Sequence, residues 1–196
     1  MSRLLISVLL YSVQLTSLAA TDVAIFAGGC FWCMEVPFDK LDGVISTTSG
    51  YTGGNTENPT YKETSSGKTG HYEALQVVYD SDKVSYQKLL DVFWKNVDPF
   101  DGRGQFCDKG PQYRAAIFTN YKEEKELATK SKNALQKKLK GKATIMTEIL
   151  PAKKFYAAED YHQDYYKKNP IRYKFYRHSC GRDKRLEQVK NIINSE

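Results

Sequence analysis

The stretch that decides the fold runs from residue 23 to residue 36 and reads VAIFAGGCFWCMEV. Its first five residues are apolar and partly β-branched, which predicts a short buried strand. Gly28 and Gly29 then predict a turn. Apolar residues recur at helical spacing beyond the turn, for example at Met34 and Phe38, so a helix is expected to follow. The stretch is therefore predicted to form a strand, a tight turn and a helix.

The sequence beyond this stretch predicts further strands and helices. Further strands are predicted at 44–50, 73–79, 114–119 and 144–150, and helices at 85–96 and 120–139. The leading order strand, helix, strand, strand, helix, strand is the split βαβ pattern of a ferredoxin-like α+β sandwich, with extra elements at the C-terminal end. A loop at 52–70 is too long for a simple hairpin, which is typical of functional loops.

Length and composition limit the class of protein. The chain has 196 residues, of which 41% are hydrophobic and 27% charged, so it suits a folded globular domain and excludes disordered, collagen-like and coiled-coil classes. The formal net charge of +6 is too small to identify an anionic partner. Four cysteines are too few for disulfides to stabilise the whole of a domain of this size. Each cysteine is therefore expected to be either reactive or simply buried.

The N-terminal 19 residues resemble a secretory signal peptide. Arg3 precedes an apolar run over 4–13, about half of what a membrane span needs, and Ser17 and Ala19 supply small residues before a cleavage site. We predict cleavage after Ala19, export to a periplasmic or secreted location, and a single mature domain over 20–196. The alternative interpretation is an ordinary N-terminal helix.

Cys30 is the most specific local signal of chemistry. It follows a strand and a Gly-Gly turn and stands at the first turn of a helix, where unpaired amides and the helix dipole favour negative charge. The pKa of its thiol is therefore expected to fall from ~8.5 towards ~7. Cys33 shares its helical face. A zinc site is the alternative, but it needs a second ligand pair, and Cys107 and Cys180 stand alone in the sequence.

The segment at 28–35, GGCFWCME, resembles the signature of the A-type peptide methionine sulfoxide reductases. Agreement continues in the same order through SGYTGG (49–54), NPTYKE (58–63), GHYE (70–73), FW with DP (93–94, 98–99), GPQYR (110–114) and EDYHQ (159–163). The resemblance covers nearly the whole mature chain. It implies the fold class already derived and a substrate, the S epimer of methionine sulfoxide, free or in proteins.

The resemblance also implies roles for individual residues. Cys30 matches the nucleophile and Glu63 the general acid, which must be protonated near neutral pH and so calls for an apolar setting that raises its pKa to about 6–7. Tyr51 and Tyr113 match tyrosines that hydrogen-bond the sulfoxide oxygen as neutral donors.

Three further residues match the substrate-binding positions of the family. Phe31 and Trp32 match the aromatic wall around the substrate's methyl group, and Asp108 matches a polar residue near the substrate's main chain. His71 is interpreted as structural, because the reaction already has an acid. No metal and no cofactor are expected.

Recycling is predicted to involve a second thiol, because the sulfenic acid left on Cys30 condenses with one to form a disulfide. We favour Cys33, which is within local reach at i+3, with Cys180 in the basic, aromatic tail as the alternative. Cys107 is interpreted as a buried loop thiol. The resemblance implies that thioredoxin or an exported thioredoxin-like protein reduces the final disulfide.

Two other classes of protein fit part of the pattern. A thioredoxin-like thiol–disulfide exchanger also has C-x-x-C at a helix start, but it needs no acid and no tyrosine donors. A binding module for anionic partners would use the positive charge, yet no stretch outside the tail is dense enough in basic and aromatic residues to form a groove. We therefore expect no nucleic-acid partner. No stable membrane insertion is expected either, and the protein is expected to be a monomer.

Overall fold

The computed structural model describes residues 20–195. Its strands are β1 (Thr21–Gly28), β2 (Val44–Thr52), β3 (Tyr72–Asp80), β4 (Gly104–Gln105), β5 (Asp108–Lys109), β6 (Ala115–Thr119), β7 (Glu148–Pro151) and β8 (Tyr156–Ala157). Its helices are α1 (Phe31–Asp39), α2 (Tyr61–Ser65), α3 (Tyr86–Lys95), α4 (Lys122–Lys138), α5 (Tyr165–Lys168), α6 (Pro170–Ser179) and α7 (Arg182–Asn194), with one 3₁₀ turn at Pro111–Tyr113.

The main sheet has the strand order β7-β6-β1-β3-β2-β8. Strand β1 lies at its centre, antiparallel to β3 on one side and to β6 on the other, and β2 pairs antiparallel with β3. The inner order β6-β1-β3-β2 is that of the split βαβ sandwich, so the predicted ferredoxin-like α+β class is confirmed. Strand β7 adds in parallel to β6, and β8 adds antiparallel to β2.

The largest core cluster lies between the sheet and the helices α1, α3 and α4. Phe26 of β1 is fully buried and stacks on Phe38 of α1 and on Phe93 of α3, at ring distances of 5.2 and 5.3 Å. Leu75 and Val77 of β3 point into the same cluster and are also fully buried. Each such side chain stabilises the fold by about 1.5–3 kcal/mol through burial, which fixes β1 and α1 relative to each other.

Two local predictions differ from the structure. The strand expected at 144–150 begins only at Glu148, because the residues before it bind α4 instead: the Ile145 amide donates to Gln136. Asn120 does not cap α4, which begins at Lys122 with Tyr121 as its N-cap residue. The long loop at 52–70 contains the short helix α2.

Arg182 at the start of α7 connects the end of the chain to the end of β1. It is 1% exposed, and its Nη2 donates to the carbonyls of Gly28 at 3.1 Å and Asn96 at 2.6 Å. Its guanidinium also lies 4.3 Å from the ring centre of Phe106. The last helix therefore completes the hydrogen bonding of the turn that precedes Cys30.

The predicted signal peptide, 1–19, lies outside the described residues. Within 20–195, no helix combines the length and apolar character needed to cross a bilayer.

Candidate active site

Two glycines carry the chain from the central strand into the first turn of α1. The backbone of Gly29 has φ +80°, and a Cβ built on it would lie 2.6 Å from Cβ of Gln105. Only glycine fits there without strain. Cys30 follows as the N-cap residue of α1. The predicted strand, turn and helix thus place its thiol at the end of the most central strand of the sheet.

Cys30 and Cys33 are both free thiols, 6% and 1% exposed. The Cys33 amide donates to the Cys30 carbonyl at 3.0 Å, so the first helical turn brings the two residues together. Burial raises the pKa of Cys30 well above its usual range, and hydrogen bonding to Cys33 adds to the effect. The hydrogen bond from Cys30, helped by Arg182 and Arg177, lowers the pKa of Cys33 to about 6.

The two thiols therefore titrate as a coupled pair, in which one proton is lost more easily than the other. The prediction that Cys30 itself has a lowered pKa is wrong. Desolvation of its sulfur outweighs the favourable dipole of α1, and the negative charges of Glu73 and Asp108 act in the same direction as burial.

Glu73 is a buried carboxyl beside this pair. It lies at the start of β3, is 2% exposed, and its Oε2 accepts the Phe31 amide at 3.2 Å. Burial raises its pKa to about 8, although the hydrogen bond from Phe31 works in the opposite direction. Glu73 is therefore mostly a neutral carboxylic acid at pH 7, which is the state a proton donor requires.

Glu63 does not have the apolar setting that was predicted for it. It is fully exposed, and it forms a capping box with Thr60 at the start of α2. Hydrogen bonds from the amide and hydroxyl of Thr60 lower its pKa. Glu63 is thus a charged helix cap, and the carboxyl that has the buried setting predicted for Glu63 is Glu73.

Two half-buried tyrosines face Glu73 and Cys30. They are Tyr61 at the start of α2 and Tyr113 at the end of the 3₁₀ turn, and burial raises the pKa of both, with smaller contributions from Glu73 and Cys30. Both remain neutral O–H donors at pH 7. Tyr113 is therefore where the sequence predicted it, and Tyr61 was missed.

Tyr51 lies behind the site instead of in it. Its side chain is completely buried against Phe31, and its hydroxyl donates to Oε2 of Glu159 at 2.9 Å. A phenol has one proton to donate, so Tyr51 has none left for a sulfoxide oxygen. Tyr61, not Tyr51, is the tyrosine that faces Glu73 and Cys30, and its amide donates to the other oxygen of Glu159 at 2.9 Å.

The predicted aromatic residues lie together around a buried histidine. The indole of Trp32 donates to Nδ1 of His162 at 3.1 Å, and the His162 ring lies 5.0 Å from Phe31 and 4.4 Å from Tyr61. Trp32 also stacks on Tyr165 of α5 at 3.7 Å. His162 was not predicted as a site residue, although the EDYHQ motif contains it.

Asp108 reaches the site from β5, as predicted. It is half-buried, and its Oδ2 accepts the hydroxyl of Tyr176 at 2.5 Å. Tyr176 comes from α6 and was missed. Its only signal in the sequence is the richness of the tail in tyrosine.

Cys107 and Cys180 form a disulfide, with Cα atoms 4.9 Å apart across 73 residues of sequence. Two expectations are therefore corrected: Cys107 is exposed and not a buried thiol, and Cys180 is not free to resolve Cys30 in this state. With Asp108 these residues have ligand atoms within 4.8 Å of one another, but the bonded sulfurs leave no thiolate for a metal.

His71 has a structural position. Its Nδ1 accepts the Gly54 amide at 3.2 Å, and its Nε2 lies 2.7 Å from the carbonyl of Thr56. These contacts join the two ends of the loop at 52–70. They are consistent with a structural role for His71.

Known proteins match nearly the whole described chain. The family model of peptide methionine sulfoxide reductase matches residues 22–193. Peptide methionine sulfoxide reductase MsrA 2 of Caulobacter vibrioides is 51% identical over 169 residues, which cover 86% of this chain and 85% of the relative. Peptide methionine sulfoxide reductase MsrA of Bacillus subtilis is 53% identical over 161 residues, or 82% of this chain and 91% of the relative.

Solved structures agree with this. Reduced Mxr1 from Saccharomyces cerevisiae superposes with a TM-score of 0.72 at 33% identity, over 77% of this chain and 87% of that one. Methionine sulfoxide reductase A of Corynebacterium diphtheriae superposes with a TM-score of 0.69 at 36% identity, over 79% of this chain and 78% of that one. Because sequence motifs, fold and relatives agree over the same residues, the chain belongs to the peptide methionine sulfoxide reductase family.

Proposed function

We propose that this protein reduces the S epimer of methionine sulfoxide, free or in proteins, to methionine. The observation that carries the proposal is the neutral carboxyl of Glu73, buried beside the Cys30 and Cys33 pair. Sulfoxide reduction by a thiol needs this combination, because an oxide leaves sulfur only when it is protonated.

The oxygen-transfer step uses one proton from Glu73 and one electron pair from Cys30. Cys30 gives its thiol proton to the Cys33 thiolate as its sulfur attacks the sulfoxide, and Glu73 protonates the oxygen. The sulfur–oxygen bond of the substrate breaks, an oxygen–sulfur bond forms on Cys30, and methionine and a Cys30 sulfenic acid result. Methionine sulfur is reduced by two electrons, and Cys30 is oxidised by two.

The surrounding residues orient the substrate for this step. Tyr61 and Tyr113 donate hydrogen bonds to the sulfoxide oxygen, where negative charge develops. Phe31 and Trp32 contact the methyl group, and Asp108 accepts the substrate's main-chain amide. Sulfur and methyl contacts with aromatic rings contribute about 0.3–1.5 kcal/mol each, enough to orient a small group without holding it tightly.

The recycling step falls to Cys33 in this proposal. Its sulfur attacks the Cys30 sulfenic acid, the disulfide forms, and the hydroxyl leaves as water after protonation. An external dithiol then reduces the Cys30–Cys33 disulfide and becomes a disulfide itself. Thioredoxin or a thioredoxin-like protein is the proposed donor, in keeping with the solved structure of Mxr1 in complex with Trx2, which is similar to this chain with a TM-score of 0.53 at 25% identity.

Assay of the mature chain with the two separated epimers of methionine sulfoxide and a dithiol tests the function. We expect the S epimer to be converted to methionine and the R epimer to remain. Reduction of an insulin disulfide without conversion of either epimer would assign the protein to the thiol–disulfide exchangers instead.

The Cys33→Ser variant tests recycling. We expect it to form about one equivalent of methionine per enzyme, more slowly than the wild type because serine cannot accept the Cys30 proton, and then to stop with Cys30 trapped as a sulfenic acid detectable by a dimedone probe. The matched variant, Cys107→Ser/Cys180→Ser, should complete many turnovers with a thioredoxin-like reductant. A Cys33 variant that cycles normally, paired with a disulfide variant that stalls, would move the resolving role to the tail.

Export remains part of the proposal, supported by the apolar run over 4–13 and the small residues before position 20. The mature protein is then proposed to act as a monomer in a periplasmic or secreted location. N-terminal sequencing of the protein recovered from that location should begin at Ala20.

A further inference from the structure

His162 lies behind three residues of the proposed substrate pocket. It is 1% exposed and stands 130 positions from Trp32 in the chain. The centroid of its ring lies 5.0, 5.7 and 4.4 Å from those of Phe31, Trp32 and Tyr61. None of the proposed reaction steps uses His162, although it packs against both the methyl wall and an oxygen donor.

The polar contact between His162 and this pocket is a hydrogen bond from Trp32. The indole Nε1 donates to Nδ1 of His162 at 3.1 Å. An indole N–H is a donor only, so Nδ1 must accept, and the neutral imidazole carries its proton on Nε2. Burial lowers the pKa of His162, although the nearby carboxylate of Glu159 acts in the opposite direction. The ring is therefore neutral at pH 7, and Nδ1 is free to accept.

This hydrogen bond fixes what the stacking of Trp32 leaves free. Trp32 stacks on Tyr165 with ring centroids 3.7 Å apart and an angle of 6° between the planes. Stacking of this kind holds the plane of a ring, but it resists rotation and sliding within that plane only weakly. The bond to Nδ1 ties one edge of the indole to a fixed point. It therefore sets the in-plane position of the ring that the substrate's methyl group meets.

His162 is itself anchored to the main sheet by its own segment. Its amide donates to the carbonyl of Glu159 at 2.8 Å. The next residue, Gln163, exchanges two hydrogen bonds with the backbone of Ser49 in β2, at 2.8 and 2.9 Å. A side chain whose own surroundings are locked by hydrogen bonds gives rigid support to the residue that it contacts. The acceptor for the Trp32 indole is thus held in a fixed place.

We propose that His162 is a positioning residue for substrate selection: its Nδ1 fixes the Trp32 indole so that the wall formed by Trp32 and Phe31 accepts an S-methyl group and discriminates against a larger S-alkyl group. The proposal deepens the proposed function and rests on it for the placement of the methyl group. His162 acts through Trp32 and not on the reacting atoms.

Two substitutions separate the acceptor of His162 from its ring. His162→Phe keeps a buried ring and removes the acceptor, whereas His162→Asn keeps an acceptor oxygen and removes the ring. The kcat/KM values for the S epimers of methionine sulfoxide and ethionine sulfoxide, measured with a dithiol, give a methyl-to-ethyl ratio. We expect His162→Phe to lower this ratio about fivefold, because the unpaired indole N–H turns towards another partner. His162→Asn should stay closer to the wild type.

The order of the two variants is decisive. If His162 only filled space, His162→Asn would be the more damaging change, and that order would overturn the proposal. A ratio that His162→Phe leaves unchanged would overturn it as well. Thermal unfolding of both variants identifies any loss of the fold.

The indole N–H gives a readout that needs no sulfoxide. The chain has two tryptophans, and Trp32→Phe assigns their indole signals in a proton–nitrogen correlation spectrum. In His162→Phe we expect the Trp32 indole proton to move upfield because it loses its hydrogen bond, and in His162→Asn to move less. A Trp32 signal that His162→Phe leaves in place would contradict the hydrogen bond and the proposal with it.

Ser131→Ala is the matched control, because the Ser131 hydroxyl accepts the indole N–H of the other tryptophan, Trp94, at 2.8 Å in the packing of α3 on α4. It should move the Trp94 signal and leave both the Trp32 signal and the methyl-to-ethyl ratio as in the wild type. A ratio that falls equally in Ser131→Ala would indicate a general effect on packing and overturn the proposal.

Combination with Trp32→Phe tests whether His162 acts through the indole. In that background His162→Phe should change the ratio by less than about twofold, and a full fivefold change would overturn the route through Trp32. A wild type that reduces neither sulfoxide would refute the proposed function and this inference together. An active wild type whose ratio does not depend on His162 would refute the inference alone.

Discussion

The Cys30→Ser variant is expected to form no methionine from methionine sulfoxide, even in a single turnover. A serine hydroxyl at this buried position yields almost no anion at neutral pH and forms no sulfenic acid, so the oxygen has no acceptor. The loss should exceed every other single substitution in the chain. Quenched single-turnover reactions with separation of methionine from its sulfoxide measure it.

The Cys33→Ser variant is the comparison, since it keeps the nucleophile: it should still form about one equivalent of methionine, at a lower rate because serine cannot accept the Cys30 proton. Far-ultraviolet circular dichroism checks that both variants retain the fold. One equivalent of methionine from Cys30→Ser itself would remove Cys30 from the reaction.

The Glu73→Gln variant is expected to slow sulfenic acid formation by roughly 10²–10⁴, the range typical of general acid catalysis. Glutamine keeps the acceptor for the Phe31 amide at 3.2 Å but has no acidic proton. Glu63→Gln is the matched control, because glutamine also suits a capping box and Glu63 is fully exposed. It should reduce sulfoxide at close to the wild-type rate.

The pH dependence gives the same prediction a second readout. The thiolate of the cysteine pair is present above the Cys33 pKa of about 6, and the acid form of Glu73 is present below its pKa of about 8. The wild-type rate of sulfenic acid formation should therefore rise through the first value and fall through the second. Glu73→Gln should lose the fall at high pH. If Glu73→Gln forms the sulfenic acid at the wild-type rate and still loses activity at high pH, another group is the acid.

Local sequence patterns were sufficient for the fold around Cys30. The apolar strand, the glycine turn and the helical spacing all act over a few residues, so they predict the same elements that tertiary packing selects. The strand expected at 144–150 was less well predicted because side chains of α4 compete for its first backbone groups.

Side-chain environment was harder to predict, and Glu63 shows why. It lies ten positions before Glu73, and both residues stand in motifs of the same family resemblance. Two signals in the sequence favour Glu73 over Glu63. Thr60 stands three positions before Glu63, the spacing of a capping box, which indicates an exposed helix start. Glu73 alternates with Leu75 and Val77, which indicates the inward face of a strand. A carboxyl at an inward position is a better candidate for a raised pKa.

Contacts made by the tail were beyond sequence reasoning. The pairing of Cys107 with Cys180 and the position of Tyr176 depend on how α5 and α6 fold back over Trp32, a matter of long-range packing. No periodicity or spacing in the tail specifies where it lands.

The buried contact of Arg182 with the Gly28 carbonyl joins positions 154 residues apart, and this has a consequence for biosynthesis. Chains are made from the N-terminus, so the Gly28 carbonyl leaves the ribosome 154 residues before the guanidinium that binds it. The turn before Cys30 can be completed only after Arg182 has been synthesised. A nascent chain that ends before Arg182 therefore carries Cys30 beside an incomplete turn.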